Sequence, residues 1–91
     1  MSRSVHVHYL EFAARLRAAR RASGMTQLAL AQRLGRPQSY VSKVEICERR
    51  MDLIETAEWC IALGTGLRNV LPRDLSRAAE IPSKAGRRKT G

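Results

Sequence analysis

The stretch from Met25 to Glu45, MTQLALAQRLGRPQSYVSKVE, leaves this chain few ways to fold. It reads as two short helices joined by a tight turn at Gly35. The first carries Leu30 and Leu34 at i, i+4 with the small Ala31 between them; the second carries Val41 and Val44 at i, i+3. Two helices that meet at a steep angle need a small residue at the crossing, and Ala31 supplies it. The sharp connection needs a residue tolerant of positive φ, and Gly35 supplies that. Gln38, Ser39, Ser42 and Lys43 then fall on the opposite, wet face of the second helix. Amide, hydroxyl and ammonium groups are the types that read base edges in a major groove.

Three groups of residues carry a resemblance. Gln27-Leu28-Ala29-Leu30-Ala31, then Leu34-Gly35, then Pro37-Gln38-Ser39-Tyr40-Val41-Ser42-Lys43-Val44-Glu45 resemble the Cro/cI-type helix-turn-helix family, also called XRE, which includes lambda-like repressors. The likeness extends to Leu16 before these groups and to Glu48-Arg49-Arg50, Asp52-Leu53 and Ala62-Leu63-Gly64 after them, covering about residues 10 to 71. It implies an all-α fold, a compact five-helix lambda-repressor-like DNA-binding domain with a helix-turn-helix and a flexible basic C-terminal tail.

Composition agrees with that fold class. A chain of 91 residues holds one small core, and 4% aromatic content favours helices packed through Ala and Leu. No run of 18 apolar residues is present, and the N-terminus lacks an apolar core followed by a small-residue cleavage site. Cys47 and Cys60 lack metal-type spacing and are read as reduced thiols, so a cytoplasmic, nucleoid-associated location is expected. The net charge of +9 is unevenly spread: +7 over residues 1–50, −1 over 51–78 and +3 over 79–91. A polyanion-binding face produces such asymmetry, although a basic, soluble protein of an arginine-rich proteome would share the total.

Local signals divide the chain into an arm over residues 1–8, a DNA-binding domain over 9–78 and a basic flexible tail over 79–91. In the arm, Val5, Val7 and Tyr9 alternate with His6 and His8, a period that leaves strand and extended lead-in equally open. Helix 1 is predicted over about residues 9 to 23, closed by Gly24. Helix 2 covers about 27 to 34 with Thr26 as N-cap, and helix 3 about 37 to 45 with Pro37 in its first turn. Asp52 and Glu55 have capping-box spacing before helix 4, about 53 to 63, whose inward side is predicted to show Leu53, Ala57, Cys60 and Leu63. A short helix 5 near 67 to 71 ends before Pro72, and Arg73 to Glu80 has the makings of further turns.

Gln38 heads the expected DNA-binding residues because an amide presents donor and acceptor together to adenine. The resemblance implies that Gln38 makes this contact braced by Gln27, which also meets a phosphate. Ser39 and Lys43 share the face of Gln38; Lys43 suits guanine or phosphate equally, and Ser42 suits the backbone. Arg36 is expected at a phosphate beside helix 3, and Arg49 and Arg50, by the resemblance, along the DNA backbone. Tyr40 either stacks on the sugar-phosphate edge or packs over helix 2. All of these also read plainly as solvated polar side chains. The resemblance further implies that Arg20 and Glu45 form a buried ion pair joining helix 1 to the end of helix 3.

Some positions depart from the pattern. Cys47 stands where the family commonly has a glycine ending helix 3, so either the residue adopts a strained left-handed conformation or the loop takes another path. A redox-sensor role for Cys47 has only nearby arginines to support it. His6 and His8 lack a third ligand and are not read as a metal site; Trp59 is read as a partly buried packing or interface residue. No nucleophile–base set, glycine-rich phosphate loop or paired carboxylates appear, so the chain is read as a non-enzyme without cofactor or metal. The expected function is site-specific binding of double-stranded DNA by a transcriptional regulator, as a homodimer on a palindromic operator. The competing reading is an antitoxin that binds a toxin protein through the neutral half after Met51 and the flexible tail, and autoregulates its operon.

Overall fold

Local hydrogen bonding decides where the helices of this chain start and stop. The computed structural model describes residues 5–77, so residues 1–4 of the expected arm and the basic tail lie outside the described part. Five helices are formed: α1 (Val5–Ala22), α2 (Gln27–Leu34), α3 (Gln38–Glu45), α4 (Leu53–Leu63) and α5 (Leu67–Val70). A further helical segment covers 73–77, and no strand occurs among the described residues. The Thr26 side chain accepts the Ala29 N–H at 3.0 Å and starts α2. Gly35, at φ 69°, ends it while the Arg36 N–H returns to the Ala31 carbonyl at 3.0 Å. At α4 the capping box is complete: Glu55 N–H donates to Asp52 Oδ1 at 2.8 Å, and Asp52 N–H to Glu55 Oε1 at 3.1 Å. Gly64 closes that helix in the left-handed region.

Four expectations need correction. α1 begins at Val5, not near residue 9, so the period of two over Val5–Tyr9 is not extended chain. Its first turns are held from far along the sequence: His8 Nε2 lies 3.2 Å from Asp74 Oδ2, and Glu11 Oε2 accepts the Arg73 N–H at 3.2 Å. Pro37 stands one residue outside α3 as its N-cap, where an extended ψ of 152° suits it. On α4 the inward side is Thr56, Trp59, Cys60, Ala62 and Leu63, while Leu53 is 68% exposed. Burying an indole removes far more apolar area from water than burying Leu53 does, and this turns the helix. Trp59 is therefore fully buried rather than partly so.

The core is a single cluster in which Leu16, Leu30, Val41, Trp59 and Val70 are wholly inaccessible. Ala31 sits at the tight α2–α3 crossing, 1% exposed, as its size requires. α1 packs on α3 and α5, and α4 on α2, so one face of α3 is left to solvent. Cys60 is in this cluster, where burial pushes its thiol pKa up and keeps it protonated.

Cys47 takes the strained choice. Its φ is 64°, the conformation adopted by Gly24, Gly35 and Gly64 at the other helix ends. The Cys47 N–H donates to Val44 O at 3.1 Å and the Glu48 N–H to Lys43 O at 2.8 Å, so α3 closes as a glycine-terminated helix would. Cys47→Gly should relieve this strain and stabilise the fold by about 1 kcal/mol, a Tm increase of roughly 4–8 °C for a domain of this size. Thermal unfolding followed by circular dichroism checks this; an unchanged or lower Tm would show that the β-carbon costs nothing there.

Candidate nucleic-acid interface

Burial of Val41 and Val44 turns α3 so that Gln38, Ser39 and Lys43 face solvent and Ser42 is half-buried. The expected wet face is thus assembled on one helix. α2 and α4 both have side-chain caps, whereas α3 has none, so no side chain takes the Gln38 and Ser39 N–H groups at its start, while the Tyr40 N–H donates to the Pro37 carbonyl at 3.0 Å.

A chain of hydrogen bonds runs from the core to this face. Arg20 Nε donates to Glu45 Oε2 at 2.7 Å and Nη2 to Oε1 at 3.0 Å, while Nη1 donates to the Met25 carbonyl at 2.8 Å. Arg20 is 8% exposed and Glu45 4%. The hydrogen bonds to Glu45 push the guanidinium pKa above its ordinary value, overcoming the opposing effect of burial. Glu45 Oε1 also accepts from Gln27 Nε2 at 3.1 Å, and Gln27 Oε1 accepts from Gln38 Nε2 at 3.4 Å. Gln27 is therefore oriented by a buried carboxylate. Gln38 keeps one N–H and its whole carbonyl oxygen for a ligand.

Tyr40, which the sequence left between DNA contact and packing, is a core residue. It is 8% exposed, and its ring lies edge-on to Trp59 of α4, not over α2. Its hydroxyl accepts the Trp59 indole N–H at 3.2 Å and donates toward Glu55 Oε2, also at 3.2 Å, close to Met51 Sδ. Burial, the largest influence, raises the phenol pKa and keeps it protonated. With its hydroxyl engaged, Tyr40 has nothing to offer a phosphate.

The Tyr40 ring instead carries two arginines. The Arg36 and Arg49 guanidinium carbons lie 4.5 and 4.8 Å from its centroid. Both reach the same carboxylate: Arg49 Nη2 is 3.0 Å and Arg36 Nη1 3.6 Å from Glu55 Oε2. Two cations sharing one anion leave a net positive charge on the surface. Burial alone would raise the Glu55 carboxyl, but the Asp52 N–H, the Arg49 guanidinium and the Tyr40 hydroxyl together hold it below the usual carboxylate range. Arg50 is exposed and lies over the Tyr9 ring of α1 at 4.4 Å. Sequence reasoning missed Glu55 in this role. Its spacing from Asp52 marked it as a cap, and nothing local reveals that the same carboxylate also gathers Arg36 and Arg49.

Residues 11–70 match the family described as "Helix-turn-helix domain". Among solved structures, the restriction-modification controller protein C.AhdI from Aeromonas hydrophila is 32% identical, with a TM-score of 0.67 over 71% of this chain and 98% of that one. An XRE-family like protein from Pseudomonas syringae pv. tomato is 51% identical over 65% of this chain and 72% of its own, with a TM-score of 0.62. The clp gene regulator ClgR from C. glutamicum is 26% identical, with a TM-score of 0.66 over 86% and 94%. No curated protein sequence matches the chain. Among the described residues, no helix is long and apolar enough to cross a membrane.

The Glu45 and Glu55 carboxylates each generate a prediction. Arg20→Met or Glu45→Gln alone should lower stability by roughly 3–5 kcal/mol, because each strands a buried partner, and paired apolar replacements should recover much of the loss. Denaturant titration of the three variants tests this; wild-type midpoints in both single variants would show an inconsequential pair. For Glu55 the folded pKa is depressed, so its contribution to stability is full above the ordinary carboxylate pKa of about 4.3 and is lost as pH falls through the lower folded value. Glu55→Gln should thus be less stable than wild type at neutral pH, the gap narrowing with acidification. A gap constant across Tm measurements from neutral to strongly acid pH would contradict this.

Proposed function

The chain belongs to the helix-turn-helix family of DNA-binding transcription regulators, which are not enzymes, and we propose that it reads a specific duplex site by placing α3 in the major groove, as a homodimer on a palindromic operator. The observation that carries this reading is the hydrogen-bonded chain from Arg20 through Glu45 and Gln27 to Gln38. It ends in an exposed amide on the first turn of α3, the part of a recognition helix that meets base edges. There the free N–H and carbonyl oxygen of Gln38 complement adenine N7 and N6, and Ser39 and Lys43 extend the contact along the helix. Arg36 and Arg49, preset on Tyr40, flank the two ends of α3 as phosphate contacts, with the uncapped Gln38 and Ser39 N–H groups adding to them. Arg50 and Ser42 complete the backbone contacts. Tyr40 is left out of the set because of its burial.

Selection of bound sequences from random duplex DNA should return a two-fold symmetric site. Gln38→Ala should then lose about 1–3 kcal/mol of discrimination at one symmetric position in each half-site while keeping nonspecific, salt-sensitive binding. Gln27→Ala should show a milder loss at the same position. Competition with duplexes substituted at every position reads this directly. Wild-type preference retained throughout in Gln38→Ala would remove Gln38 from the reading role and leave Ser39 and Lys43 to fill it.

A further inference from the structure

Arg50 is held differently from the other arginines beside α3. Arg36 and Arg49 share the Glu55 carboxylate, whereas the Arg50 guanidinium makes no hydrogen bond or ion pair among the described residues. What fixes it is a ring on another helix: its central carbon lies 4.4 Å from the centroid of Tyr9 of α1. Tyr9 is half-buried and stands edge-on to Phe12, with centroids 6.0 Å and planes 79° apart, and Phe12 packs on the core. The part of α1 that carries both rings is pinned on either side of Tyr9. His8 Nε2 is 3.2 Å from Asp74 Oδ2, and Glu11 Oε2 accepts the Arg73 N–H at 3.2 Å. Tyr9 thus offers a fixed ring face to an exposed cation.

We propose that Tyr9 is a positioning residue for DNA binding: its ring holds the Arg50 guanidinium where it grips a backbone phosphate, so the first turns of α1 belong to the DNA-facing surface. The inference rests on the reading of Arg50 as a phosphate contact and adds α1 to it. A ring face attracts a cation through its quadrupole and takes up none of its N–H donors. All five donors of the Arg50 guanidinium therefore remain for a ligand, and no paired carboxylate offsets its charge. The hold that Glu55 has on Arg49 orients that guanidinium too, but it occupies a donor and cancels charge. A free arginine side chain loses much rotamer freedom when it grips a phosphate; one resting on a ring has already lost part of it. The face of the ring makes this contact, so phenylalanine at position 9 would make it equally.

Titration of a fluorescent mixed-sequence duplex at low salt, read by anisotropy, tests the proposal with the full chain. The variants are Tyr9→Ala, Tyr9→Phe, Arg50→Ala and the double variant Tyr9→Ala with Arg50→Ala. Tyr9→Ala should weaken binding roughly two- to fivefold per bound chain, because the preset population of Arg50 cannot exceed what an exposed cation–ring contact stabilises. Tyr9→Phe should bind as wild type does. Arg50→Ala should weaken all sequences alike and lower the salt slope by about 1 per chain. In that background Tyr9→Ala should cost nothing further. A loss caused by a disturbed fold would persist there, so additive losses overturn the proposal. Wild-type affinity in Tyr9→Ala, or a Tyr9→Phe variant as weak as Tyr9→Ala, overturns it as well, while the phosphate contact of Arg50 stands. Arg50→Ala with unchanged affinity and salt slope would instead remove Arg50 from the phosphate contacts, and the role of Tyr9 would fall with it.

Discussion

A buried arginine and glutamate are tolerable together only when their donors and lone pairs are satisfied, and Arg20 and Glu45 meet that condition from three directions. The guanidinium fork takes both carboxylate oxygens, its third nitrogen closes the α1–α2 turn at the Met25 carbonyl, and Gln27 supplies a further donor to Glu45. The end of α1, the start of α2 and the end of α3 are thereby locked into one rigid piece. Packed leucines would stabilise this junction as well, yet they would not define an angle. A planar bidentate contact does, and it sets the angle at which α3 is presented to solvent. The amide of Gln38 inherits its orientation from the same contact through Gln27.

A second polar junction does the corresponding work on the other side of α3. Tyr40 fills the space against Trp59, and its hydroxyl links the indole N–H to the Glu55 carboxylate, so α3 is registered against α4 by hydrogen bonds as well as by ring contact. The outer part of the same unit holds Arg36 and Arg49 in place. Long cationic side chains lose much rotamer freedom when they grip a phosphate. Holding them beforehand on an aromatic ring and a shared carboxylate reduces that loss. Tyr40 and Glu55 thus serve the surface without belonging to it.

The apolar face of α4 has the opposite character. Gln27, Arg36, Gln38 and Arg49 around α3 are engaged and oriented, whereas Ile54 and Ile61 stand in water beside Glu58, which has no partner among the described residues. The contrast between basic surface around α3 and the near-neutral stretch that includes α4 is already visible in the charge balance of the two halves.

What the sequence determined by itself was local. Thr26, Gly35, the Asp52–Glu55 box and Gly64 mark helix ends correctly because capping joins residues only a few positions apart. Ala31, Val41 and Val44 likewise declare which side of α3 is dry, and hence that Gln38, Ser39 and Lys43 are wet. The Arg20–Glu45 contact spans 25 residues and was legible only through family resemblance. Tertiary structure decided the rest. α1 extends to Val5 because its partners Arg73 and Asp74 lie more than sixty residues away. α4 turns about its axis to bury Trp59, since the rotation of a helix is set by the surface it meets and two neighbouring stripes were both apolar. Tyr40 went inward for the same reason: its fate depended on an indole nineteen residues on, which no spacing within α3 reveals.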